Sequence, residues 1–137
     1  MLNRAVLWTC IGLFFARVVG QIGVLLVAPN WLPAMQAWYS GLLPYPLLLP
    51  IQIALLMLMC VLSIGTRTAP RLRGAADRTA ATLRALAMVY VAVMAVRLIL
   101  IVHRYGEDFH LHGAIPVAFH WVLALFILVW TRLTYGR

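Results

Sequence analysis

An all-α bundle of four membrane-crossing helices is the fold class this sequence predicts, and three observations predict it. Hydrophobic residues fill 65% of the 137 positions and charged residues 10%, against about 45–50% and about 25% in ordinary soluble domains. The apolar positions gather into runs at 5–28, 47–64, 85–102 and 114–130, each of roughly 17 residues or more, enough for a hydrocarbon core of about 30 Å. Arginines crowd the connections on one side of these runs and are nearly missing from the other, as positive-inside topology requires.

The first run, Ala5 to Ala28, holds thirteen Leu, Ile, Val or Phe residues. They are worth roughly −4 to −8 kcal/mol on the insertion scale against about +3 kcal/mol for Arg17, so insertion wins. Its start resembles a signal peptide, but the run is longer than an h-region of about 7–15 residues, and it reads as a spanning helix. Gly12, Ala16 and Gly20 recur at every fourth position, a small-residue stripe that lets another backbone approach.

No charged residue occurs from Val18 to Thr66. Within that interval NWLPAMQAWYSGLLPYP (Asn30 to Pro46) is too interrupted by proline to span. It predicts a short interfacial helix capped by Asn30 and ended by Gly41, with Trp31, Met35, Trp38 and Leu42 on one face, or else an aromatic loop at headgroup depth. The second run, Leu47 to Ile64, confines Pro46 and Pro50 to its first turn, where a missing N–H is harmless. An arginine-rich connection follows, with Arg67, Arg71, Arg73, Arg78 and Arg84 against Asp77.

The third run, Ala85 to Val102, contains Arg97 and extends as helix back toward Ala75. HRYGEDFHLHG then leads to the fourth, Ala114 to Trp130, with Pro116 in its first turn and His120 inside. Eight arginines (4, 67, 71, 73, 78, 84, 132 and 137) fall on one side and Arg104 alone on the other. The expected topology has both termini in the cytoplasm of a bacterium and the chain in its inner membrane.

The net charge of +8 comes from eleven arginines against three acids. Nucleic acid is not the expected partner, because no soluble scaffold is left on which a basic face could be displayed. Cys10 and Cys60 lie in separate apolar runs and read as buried thiols rather than a redox pair. No GxSxG elbow and no carboxylate pair inside the membrane supports hydrolytic chemistry.

The polar residues inside the runs share the extracytoplasmic half. Arg17, Gln21, Gln52, Arg97 and His120, with Tyr90 two turns beneath Arg97, are expected to line a pocket. Each intramembrane arginine costs roughly 2.5–3.5 kcal/mol to insert, so such residues face water, a partner or a ligand, or snorkel to the headgroups. The expected ligand carries an anionic or carbonyl head, as a lipid or quinone does. The chain then acts as a non-enzymatic binder or accessory subunit, as a homo-oligomer or within a larger membrane complex.

A second reading uses His103, Glu107, His110 and His112 as imidazole and carboxylate donors for Zn or Cu. Haem is a weaker variant, because His103 and His120 differ in depth by about 8 Å of helical rise. An oligomeric channel or transporter is a third. In length and span count the chain is similar to small bacterial four-helix families such as the DoxX-like proteins, but none of its residues is matched to a motif of theirs and no role is carried over.

Overall fold

The computed structural model describes residues 2–27, 29–38, 44–65, 76–111 and 113–135, without the side chains of Gln36, Tyr45, Ala76, Asp77, His110 and Leu111. Everything regular among them is helical: α1 (Leu2–Val27), α2 (Met35–Trp38), α3 (Tyr45–Gly65), α4 (Ala76–Tyr105), a 3₁₀ segment (Gly106–Leu111) and α5 (Ala114–Tyr135). Four of these, α1, α3, α4 and α5, are long and apolar enough to cross a membrane. Each outruns its apolar core at one end or both. With 30 residues, α4 is about 45 Å long at 1.5 Å per residue, so part of it, such as the turns that carry Arg78 and Arg84, extends past a hydrocarbon core of about 30 Å.

The helix ends have local causes. Gly106, at φ 57°, takes the left-handed position that closes α4, and Gly113, at φ 101°, turns the chain into α5; a side chain at either position would be strained. Pro116 occupies the first turn of α5 as expected. Pro50 does not stay in the first turn of α3. The N–H groups of Leu47 and Leu48 bond the Pro44 carbonyl at 3.0 and 3.1 Å, starting the helix at Tyr45, so it runs through Pro50 in its second turn.

The connection between α1 and α3 departs from the expected amphipathic helix. A turn closed by Leu32 N–H on the Pro29 carbonyl comes first, and the helix occupies only Met35–Trp38 among the described residues. Pro33 disfavours helical backbone at Leu32, so Trp31 never joins the phase of Trp38. Trp31 is 81% exposed, whereas Trp38 is 8% exposed and packed with Val24 and Ala37. Leu42 lies outside the described residues.

Packing is centred on α1 and α5. Leu7, Cys10, Phe14 and Val18 of α1 form one core with Met59 of α3 and Phe126 of α5. Because Leu7 near the start of α1 shares a cluster with Met59 toward the end of α3 and Leu133 near the end of α5, α1 runs antiparallel to both α3 and α5. At the same end Arg84 donates to the Thr131 hydroxyl at 3.4 Å and to its carbonyl at 3.5 Å, tying the first turns of α4 to the last turn of α5. A cation there suits the negative end of the helix dipole.

While α4 packs closely on α5, it does not pack closely on α3. The gap between α3 and α4 is floored by α5 and forms an open groove. Outward faces remain apolar throughout, as at Phe15, Met57, Val93 and Ile99. A band of this kind matches acyl chains and would be an aggregation surface in water.

Candidate functional site

Residues from α1, α2 and α5 meet around Trp38. Trp38 is the last described residue of α2, and its carbonyl accepts from two donors on α1: Gln21 Nε2 at 3.2 Å and Arg17 Nη2 at 3.5 Å. Arg17 and Gln21 are one turn apart and share a face, so one oxygen serves both. The indole is held from its other side by Nε1 donating to the Pro33 carbonyl at 3.0 Å. It lies so close over α1 that only glycine fits beneath it, since a Cβ at Gly20 would stand 2.8 Å from the ring.

Arg17 is 6% exposed. Its guanidinium stands 5.1 Å from the centre of the Phe119 ring, a cation–π contact. Its Nε has no hydrogen-bond partner, and neither does Gln21 Oε1. The 3.5 Å bond is at the long limit for N–H···O, so the cation is met by a carbonyl dipole and a π-face and remains short of negative charge. The three acids of the chain, Asp77, Glu107 and Asp108, all fall outside the apolar runs.

Beside Phe119, His120 turns its Nδ1 to the Pro116 carbonyl one turn back. A carbonyl only accepts, so Nδ1 carries the proton, and in the neutral ring Nε2 then presents the lone pair. Tyr90 of α4 packs on the imidazole with ring centres 5.5 Å apart. Arg97 is half-buried, on the turn of α4 two above Tyr90.

Of the six expected pocket residues, Arg17 and Gln21 meet at the Trp38 carbonyl and Tyr90 meets His120, beside the Phe119 ring that Arg17 faces, while Arg97 stands two turns along α4 from Tyr90. Gln52 reaches the interior from α3. It is 4% exposed, shares a face with Leu49, Leu56 and Met59, and both its amide atoms lack a hydrogen-bond partner. Trp38, Phe119 and the Pro116 carbonyl were not legible as site groups; the nearest signal was Gly20, read as part of a helix-packing stripe. That stripe is not used as expected: a Cβ at Gly12 would meet nothing within 4 Å, and Gly20 serves an indole instead.

The candidate metal donors divide. His103 lies in the last turn of α4 and Glu107 in the first turn of the 3₁₀ segment, both exposed, while the His110 side chain and the whole of His112 lie outside the described residues. Among the described residues no three His, Cys, Asp or Glu side chains are grouped to hold a metal ion.

The open groove begins where the polar cluster stops. Its upper rim holds Leu55, Tyr90 and Leu123, and its lower rim Leu62, Leu83 and Trp130. Seven residues separate rim from rim on each of the three helices, a run of about 10 Å. Trp130 Nε1 closes the lower end by donating to the Leu62 carbonyl at 3.3 Å, and Trp121 Nε1 ties α5 to the Val91 carbonyl at 3.3 Å just above.

Compared with known proteins, the chain matches no family model, no curated protein and no solved structure.

Proposed function

We propose that this chain is a multi-pass protein of the bacterial inner membrane, with both termini cytoplasmic, that binds a small amphiphile without transforming it. The ligand's anionic or carbonyl-bearing head, as in a lipid or quinone, is held by Arg17, Gln21, Arg97 and His120, with Tyr90 and Gln52 completing the site. The chain works as an accessory subunit, and its uncovered apolar faces meet lipid or further subunits. One observation carries this reading: among the described residues a nine-tenths-buried arginine on α1 is met only by a long carbonyl bond and an aromatic face, with its Nε unpartnered. An oxygen acceptor brought by a ligand supplies what the chain does not encode.

Arg17→Leu tests it. Protein purified from membranes is extracted with organic solvent, and co-purifying amphiphiles are quantified by mass spectrometry against the unmodified chain. Loss of a specific species by tenfold or more, with helical content unchanged, is expected. Equal content in both proteins overturns the proposal.

A further inference from the structure

Resting on that reading, we infer that Trp38 is the gate that sets the head chemistry: the ligand's head is a carboxylate, and it binds by displacing the Trp38 carbonyl from Arg17 and Gln21, an exchange that a neutral carbonyl such as a quinone's does not win.

The donors of the site are already taken by the chain itself. One oxygen, that of Trp38, accepts from Arg17 Nη2 at 3.5 Å and from Gln21 Nε2 at 3.2 Å. Arg17 is 6% and Gln21 0% exposed, so no ligand reaches these donors while Trp38 stays in place. Phe119 covers the guanidinium from α5, a helix of 22 residues, whereas Trp38 belongs to a helix of four. The attachments of Trp38 can be released together. Its indole N–H bonds the Pro33 carbonyl within the same connection, so that bond travels with the segment. Gly20 beneath the ring has no side chain to hook it, and the rest of its cluster, including Val24 and Ile115, is apolar. The most loosely held cover of the arginine is therefore the one whose carbonyl stands where a head would bind.

Charge and shape decide what replaces it. In a guanidinium, Nε–H and the Nη2–H beside it point the same way and form a fork that matches two oxygens side by side. Trp38 offers one oxygen, and Nε is left without a partner. A carboxylate brings two oxygens in one plane and a full negative charge, and charge-assisted bonds of this kind are about twice as strong as neutral ones. A quinone or ester carbonyl brings one neutral oxygen, which Trp38 already supplies, and gains nothing against the apolar contacts it must break. A phosphodiester carries one negative charge as well, but it is tetrahedral with a substituent on each side. A carboxylate is terminal and planar, like the peptide group it replaces.

The gate is tested by its accessibility. Ala37→Cys, at a residue 1% exposed beside Trp38, is made in a background with Cys10 and Cys60 replaced by Ala, and the full-length protein is placed in phosphatidylcholine nanodiscs. The rate of labelling by a membrane-impermeant maleimide is followed against palmitate, methyl palmitate and a benzoquinone with a ten-carbon tail, and bound palmitate is counted by native mass spectrometry. Palmitate should raise the rate at least fivefold and saturably, and the ester and the quinone should not. Gly20→Ala, which presses the indole off α1, should lower the half-saturating palmitate concentration at least threefold. Arg17→Lys, which keeps the charge and loses the fork, should raise it at least tenfold. A general loss of folding does not shift the two variants in opposite directions.

Equal opening by the ester or the quinone overturns the carboxylate head and leaves Arg17 a binding residue. Palmitate bound through Arg17 with no change in labelling overturns the exchange at Trp38, again leaving the underlying reading intact. Opening on replacement of phosphatidylcholine by phosphatidylglycerol, without palmitate, assigns a phosphodiester head and overturns the carboxylate. If palmitate neither binds nor opens the gate, the inference falls, and the amphiphile retained by the unmodified chain against Arg17→Leu still decides the reading beneath it.

Discussion

Gly20→Ala isolates the contact on which the site is built. A Cβ at this position meets three ring atoms of Trp38 at 2.8, 3.2 and 3.5 Å, where carbon atoms prefer about 3.5–4.0 Å. The nearest approach is short by about 0.7 Å or more. The ring cannot swing away freely, because its N–H is held by the Pro33 carbonyl and the residue is packed with Val24 and Ala37. Overpacking of this kind costs about 1–3 kcal/mol, offset by the gain of about 0.5–1 kcal/mol when helical glycine becomes alanine. Gly12→Ala and Gly23→Ala carry the same backbone gain with nothing within 4 Å of the new methyl. The difference between Gly20→Ala and these two controls is then the steric term alone, about 1–3 kcal/mol. Unfolding of each variant in mixed micelles, titrated with SDS and followed by far-ultraviolet circular dichroism, measures it. Replacing Trp38 with Leu in the Gly20→Ala background should recover most of that term in a double-mutant cycle. Equal stability of all three alanine variants refutes the placement of Trp38 against α1.

Further expectations follow from the same contacts. Gln52→Leu in delipidated protein should raise stability by about 1–3 kcal/mol, since two buried polar atoms without partners are removed; a loss of stability in the same SDS titration shows that the amide is satisfied. Thr131→Val should cost about 0.5–1.5 kcal/mol by removing the hydroxyl that Arg84 bonds, while Thr82→Val, whose hydroxyl bonds only its own helix at the Arg78 carbonyl, should cost less. In a background with Cys10 and Cys60 replaced by Ala, Asp108→Cys in intact cells should react with a membrane-impermeant maleimide and Arg78→Cys should not. The reverse pattern inverts the topology and turns the groove toward the cell exterior.

What the sequence disclosed was set by what hydropathy can express. Span number and approximate limits are one-dimensional properties, and α1, α3, α4 and α5 answer to the four apolar runs. The convergence of Arg17, Gln21, Tyr90 and His120 was legible because depth follows from helical rise once spans are assigned. The role of Trp38 was not, because an aromatic in a proline-broken connection has the same composition whether it stands exposed, as Trp31 does, or inserts over a glycine. Nor does hydropathy say which helices are neighbours. That α3 and α4 are consecutive in sequence and yet stand apart is visible only in three dimensions.

That separation has a physical basis in the solvent. In water an apolar gap of about 590 Å³ would drive α3 and α4 together, because closing it removes hydrocarbon surface from contact with water. In a bilayer that drive vanishes, since lipid tails are as apolar as leucine and helices associate only through packing and polar bonds. The polar bonds here fall at the edges of the gap: Trp121 to the Val91 carbonyl and Trp130 to the Leu62 carbonyl. Each indole donates to a helical carbonyl, whose second lone pair remains available beside its intrahelical bond. The two tryptophans hold α5 to its flanking helices at two levels, and Trp130 stands between α3 and the lower end of α4 as a spacer. Replacing it with leucine removes both the bond and the bulk, so α3 loses its tie to α5 and is free to close on α4. On this account Trp130→Leu should bring α3 and α4 closer, read as a shortened distance between spin labels placed on the two helices. The Arg17–Trp38 contact, which meets α5 near its other end at Phe119, should stay unchanged in the Gly20→Ala stability test.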